Sequence, residues 1–244
     1  MSANNENYYA RQSGANDVFA ADATADARAI FLRNTYLHLA FAVLAFVGLA
    51  SAFLTVEPVR DFLFGFIARG QWWLVLGAFM LVGWLAERWA YSGASKATQY
   101  AGLSLYVVAE SLIFVPLLYL AQLSTGSSEI IYQAGLLTII TFGSLTAVVM
   151  MTGADFGFMR TFLFVAGLVA LGTMVAGMIF GFALGTWFIG AMMLLMSGYI
   201  LFHTSEILHR YPTDAYVGAS LALFASVATL FWYILQFLMS LQRD

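Results

Sequence analysis

Apolar residues fall in seven long blocks along this chain, separated by short polar segments. The blocks cover about residues 36–56, 72–89, 99–122, 131–152, 159–184, 186–208 and 217–241. A helix needs roughly 17–25 apolar residues to cross a hydrocarbon core of about 30 Å. Backbone in hydrocarbon must satisfy its own polar groups, so blocks of this length predict helices. The pattern therefore predicts an all-α membrane protein with seven spans. Trp72 and Trp73 open the second block, where paired indoles anchor a helix at the interface. The linker VEPVRDFLFGFIARGQ ahead of them carries Phe and Leu residues and is expected to lie in that interface. Gly177, Gly181 and Gly185 form a series of small residues at helical spacing, expected to let the fifth span approach a neighbour closely. Only Gly185 separates the fifth block from the sixth, so these two spans are expected to be antiparallel neighbours.

Ahead of the blocks, Met1–Ile30 is polar and rich in Asn, Ser, Asp and Ala. Such a segment buries too little apolar surface to fold alone, so a disordered tail over 1–30 is expected. A short amphipathic helix over about 22–33 is the one alternative within it. Composition supports the membrane reading: 62% of residues are hydrophobic and 9% charged, against about 25% charged in soluble domains. The net charge of −3 leaves no basic surface for nucleic acid. With no cysteine, disulfides and thiolate metal sites are excluded. The first apolar block is too long for the h-region of a cleavable signal. With seven spans, Arg11, Arg28, Arg33, Arg88, Lys96, Arg160 and Arg210 share one side, and Arg60, Arg69 and Arg243 the other. That division predicts a cytoplasmic N-terminus and a C-terminus outside.

Ionisable groups within a span are costly and mark candidate sites. Glu110 is at the middle of the third block. A carboxylate there is protonated, paired with a cation, or open to a water-filled cavity. His203 lies well inside the sixth block, and imidazole titrates near neutral pH, which suits proton sensing. Helical spacing puts Tyr199, His203, Glu206 and Arg210 on one face. Glu206, near the helix end, is expected to reach headgroup water. The seventh block carries a second polar stripe of Ser226, Thr229, Tyr233 and Gln236. Polar stripes turn away from lipid, so the hairpin is expected to bring His203 opposite the Ser226 region. Interhelical hydrogen bonding that only holds the bundle together is the alternative use of such stripes.

Other chemistries find little footing. His203, Glu206 and His209 recur at steps of three, but this is not the H-E-x-x-H spacing of zinc peptidases, and no metal or other cofactor is expected. No G-x-S-x-G is present, and Ser197-Gly198 has no recognisable base partner, so an enzyme is not expected. The chain shows no inverted halves with broken helices, which gives a coupled transporter no support.

The run SGYILFHTSEILHRYPTDAYVGASLALFASVATLFWYIL resembles the last hairpin of the Bax inhibitor-1 (TMBIM) family. The entry FLRNTYLHLAF and the words ILF-x-TS-x-I-x-H and SL-x-L-x-x-S are similar to its bacterial YccA-like branch. The resemblance covers about Phe31 to the C-terminus and is most specific over Gly198–Phe231. It implies six helices around a central C-terminal one. In calcium-leak members of the family, two aspartates on the last two helices form a pH-sensing pair latched to a basic residue near the end of helix two. The matching positions here are His203, Ser226 and Arg88, so both acids are missing. Calcium conduction by that pair is therefore not implied, unless Glu110 supplies a carboxylate from a third span that faces the hairpin. The YccA-like branch implies a bacterial inner-membrane protein that acts as a modulator and slow substrate of the membrane-anchored AAA+ protease FtsH. A pH-responsive calcium or proton leak, and a structural membrane protein with another partner, stand as the alternatives.

Overall fold

The computed structural model describes residues 19–91 and 95–242, which form eight helices. Helix α1 covers Ala25–Thr55. It starts well before the first apolar block because Thr24 caps it, accepting a bond from the Ala27 N–H at 3.3 Å, with Asp26 in the first turn. Its 31 residues extend about 46 Å, so the polar N-terminal turns stand outside the hydrocarbon. The tail expected over 1–30 thus gives way to helix at Ala25, and its residues 1–18 lie outside the described residues.

Helix α2, Glu57–Ala68, occupies the linker expected at the interface. Pro58 sits in its first turn, where the missing N–H costs nothing, and none of its residues is buried. The remaining spans are α3 (Trp72–Ala90), α4 (Lys96–Thr125), α5 (Glu129–Thr152), α6 (Met159–Phe180), α7 (Gly185–His209) and α8 (Tyr216–Leu241). All helices except α2 are long and apolar enough to cross a membrane, and the protein is a multi-pass integral membrane protein. Phe162, Ile179 and Trp187 are among the large apolar side chains left on the outside of the bundle, where lipid covers them.

The glycine series of the fifth span works differently from the expectation. Gly181 takes a left-handed conformation (φ 72°) and ends α6, its N–H bonding the Gly177 carbonyl. Gly185 is also left-handed (φ 67°). The two glycines therefore shape the turn, and the fifth span closes at Phe180 although the apolar block continues to Leu184. Close backbone approach occurs elsewhere, at Gly102. A Cβ there would come within 2.5 Å of the Ala86 carbonyl oxygen, so α4 lies directly against α3.

The C-terminal helix is central, as the resemblance implies, and it shares the centre. Helix α8 packs against α1, α3, α4, α5 and α7, while α4 packs against α1, α2, α3, α5 and α8. Over their apolar windows α4 and α8 are 61% and 56% buried, against 6–22% for the other spans. Phe46 of α1, Phe114 of α4 and Phe231 of α8 meet between them, with ring centroids 4.9 and 5.6 Å from Phe114. Ser220 of α8 donates to the Thr35 carbonyl of α1 at 2.8 Å.

One end of the bundle is tied by polar contacts. The Ala20 N–H donates to the Tyr211 carbonyl at 2.9 Å. Arg28 reaches back to the carbonyls of Ala20 and Ala21, both at 2.6 Å. Lys96, at the start of α4, donates to the Asp214 carbonyl at 2.5 Å. The turn between α7 and α8 is thereby held by the chain's first described residues and by α4.

Candidate functional site

Two carboxylates are buried within the spans, Glu110 at 5% and Glu206 at 7% exposure. Glu110 is buried at the middle of α4. It lines a cavity of about 700 Å³. Thr229, Tyr233 and Gln236, from the stripe on α8, line the same cavity. The third span therefore does face the hairpin, a question the sequence leaves open. Trp72 and Phe79 of α3, and Phe188 and Ile189 of α7, also line the cavity. No substantial packing joins α3 to α6 or α7, so the cavity lies between walls that do not close on each other. Tyr106, one turn before Glu110, is its polar neighbour. Among the described residues no basic side chain lines the cavity or pairs with Glu110.

Glu206 is held differently. Its Oε2 accepts from Arg160 and its Oε1 from Arg210, each at 2.5 Å. Arg210 also grips Asp155 in a fork, at 2.7 and 3.0 Å. Asp155 belongs to the turn between α5 and α6, where its carboxylate also accepts from the Gly157 N–H at 2.7 Å. The Ser205 hydroxyl accepts from the Phe156 N–H at 2.8 Å and so fixes the turn to α7. A Cβ at Gly157 would run into the Arg210 guanidinium and push it aside. The bond from Arg210, then that from Gly157, holds the Asp155 carboxyl below its ordinary range. Asp155, and secondarily Glu206, holds the Arg210 guanidinium above its own. The expectation that Glu206 reaches headgroup water is corrected: two arginines come to it, and it stays buried between them.

His203 shares its face with Tyr199 and Glu206, as helical spacing requires, but that face turns to α6. His203 stacks on Tyr199, with centroids 5.8 Å apart. The Tyr199 hydroxyl donates to the Leu163 carbonyl of α6 at 3.0 Å. Around His203 lies a smaller cavity of about 300 Å³, lined by Arg160, Tyr199, Glu206 and Tyr211. Ser226 is buried in α8 and donates to the Ala222 carbonyl of its own helix at 3.0 Å. No hydrogen bond or ring contact joins it to His203 among the described residues. The expected meeting of the two stripes is thus corrected. Helical spacing tells which residues share a face, not which neighbour covers it. Arg88 is exposed and lies 5.4 Å from the centroid of Trp84, with no ion pair to the hairpin among the described residues.

Comparison with known proteins decides the family. Residues 28–243 match the family model described as "Inhibitor of apoptosis-promoting Bax1". The chain belongs to the Bax inhibitor-1 family. It is 29% identical to "Bax inhibitor 1" of Schizosaccharomyces pombe over 233 residues, covering 92% of this chain and 81% of that protein. It is also 30% identical to "Protein LIFEGUARD 4" of Arabidopsis thaliana over 214 residues, covering 84% of this chain and 82% of that protein.

Within this Bax inhibitor-1 fold, no hydrogen bond, ion pair or ring contact joins His203, Ser226 and Arg88 among the described residues, and Glu110 is buried at mid-span. Asp155 and Arg160 are the participants that sequence reading passes over. The available signal was weak: an acid between Gly153 and Gly157 in a short turn, and an arginine just after it.

Proposed function

We propose that this Bax inhibitor-1 family member is a pH-responsive cation leak in which Glu110 supplies the carboxylate. The observation that carries the reading is a buried carboxyl, unpaired with any basic side chain among the described residues, that opens onto a cavity it shares with Thr229, Tyr233 and Gln236. A carboxyl in a low-dielectric wall holds a proton or a cation, because a bare charge there is costly. Exchange of one for the other makes cation passage depend on pH, with protonation opposing it. Neither His203 nor Ser226 is needed for this exchange. The protease-modulator reading rests on the resemblance to the YccA-like branch and on the N-terminal tail, whose residues 1–18 lie outside the described residues.

Calcium flux in liposomes containing the purified protein, followed across a pH series, tests the reading. Flux is expected to fall as the pH is lowered, and Glu110→Gln to reduce it at least about tenfold, roughly 1.4 kcal/mol at the barrier. Glu110→Asp should keep part of it. Equal flux in wild type and Glu110→Gln would overturn the proposal.

A further inference from the structure

The cavity around Glu110 is built for more than an inorganic ion. Calcium takes six to eight oxygen ligands, and magnesium a tight octahedron. Here a single carboxylate stands among Trp72, Phe79, Phe114 and Trp232, with the hydroxyl and amide groups farther along α8. A volume of about 700 Å³ falls in the range that holds organic ligands. An apolar, aromatic wall with one buried carboxylate is the complement of an organic ammonium, since ring faces attract the cation and the carboxylate supplies its counter-charge.

We infer that this cavity binds a single-chain amphiphile carrying a primary ammonium, drawn from the bilayer. The source follows from the walls. Helices α3 and α7, both spans, line the cavity with no substantial packing between them, so its apolar walls are offered to an alkyl chain from the bilayer. An ammonium has N–H donors for the Glu110 oxygens, and its alkyl chain lies along Leu76, Ile113 and Ile189. A ligand with its own phosphate or carboxylate is repelled, because no basic residue lines the cavity among the described residues. The inference rests on the reading of Glu110 as the functional carboxylate, and does not require that ions pass.

Trp72 and Trp232 line the site and report on it. Full-length protein in phosphatidylcholine nanodiscs is titrated with 12-bromododecylamine, 12-bromododecanol and 12-bromododecanoate, whose bromine quenches indole on contact. The wild type is expected to show saturable quenching by the amine with an apparent affinity at least about tenfold above that of the other two, referred to probe in the bilayer. Glu110→Gln should abolish that preference, Glu110→Asp should retain it, and Trp232→Phe should shrink the amplitude while keeping the preference for the amine. A short amine, butylamine, should fail to compete, and effective competition by it would overturn the bilayer as the source. Equal quenching by amine and alcohol in the wild type would overturn the inference even where a variant does not fold. Unchanged preference in Glu110→Gln would do so as well. Flux that depends on Glu110 without an amine preference defeats this inference alone. An amine preference with flux indifferent to Glu110 defeats the leak and leaves the ligand site.

Discussion

Glu206 lies buried at the polar end with two arginines on its carboxylate, whereas Glu110 lies buried at mid-span with none. Desolvation penalises both, and the difference is how the penalty is met. At Glu206 it is offset by charge-assisted bonds that also tie α6, α7 and the turn before α6 into one unit. At Glu110 the cavity leaves room for a proton, a cation or a cationic ligand to do the same. A paired carboxylate reads as structure. An unpaired one, kept open to a cavity, reads as a site.

The comparison is broken most forcefully by stripping Glu206 of its partners. The double substitution Arg160→Ala, Arg210→Ala leaves the carboxylate buried without a counter-charge and should destabilise the protein by on the order of 2 kcal/mol in thermal unfolding in detergent. That is less than the roughly 3–5 kcal/mol seen when a fully buried pair is broken, because the two arginine side chains are 64% and 42% exposed and water can replace them. A stability equal to wild type would mean that Glu206 is not held by its pairs.

Glu110→Gln sharpens the contrast from the other side. It removes a carboxyl that no basic side chain pairs among the described residues while the amide can keep the bond with Tyr106, so stability should be unchanged or rise by up to about 1 kcal/mol in the same assay. Destabilisation comparable to the arginine double variant would reveal an unrecognised structural partner for Glu110.

The smallest effect is expected at Asp155, which lies in the turn and reaches water. Its carboxyl is held below its ordinary value, so its contribution to stability is present above the unfolded pKa of about 3.9 and is lost as pH falls through the folded one. Acidification from pH 7 to 5 should therefore not release the latch. Asp155→Asn should track wild type over that window in a pH series of melting temperatures, with divergence confined to lower pH. A difference that grows between pH 7 and 5 would contradict the assignment.

The spans were legible because the apolar blocks match the bilayer, and Glu110 because a carboxylate in such a block is rare. Two helix ends were less so. The cap at Thr24 stands in a polar run full of alternative caps, and Gly181 ends α6 inside a block that stays apolar to Leu184. The Glu206 network joins residues 46 and 55 positions apart, Arg160 to Glu206 and Asp155 to Arg210, and nothing local marks such pairs. The facing of His203 was misjudged for a related reason. Its helical face could be read directly, but chain order made α8 the natural neighbour, and α6 takes that place.

The central position of α8 has a consequence for biosynthesis. The segment that five other helices rest on leaves the ribosome after all five of them. Earlier spans enter the bilayer one after another as lipid-soluble rods, but the bond from Ser220 to the Thr35 carbonyl waits on a residue made 185 positions later. The packing around α8 thus forms only after the spans it touches have been made. A chain cut short before Tyr216 would be inserted but hollow, with the inner faces of α1, α4 and α5 turned to lipid for want of their common core.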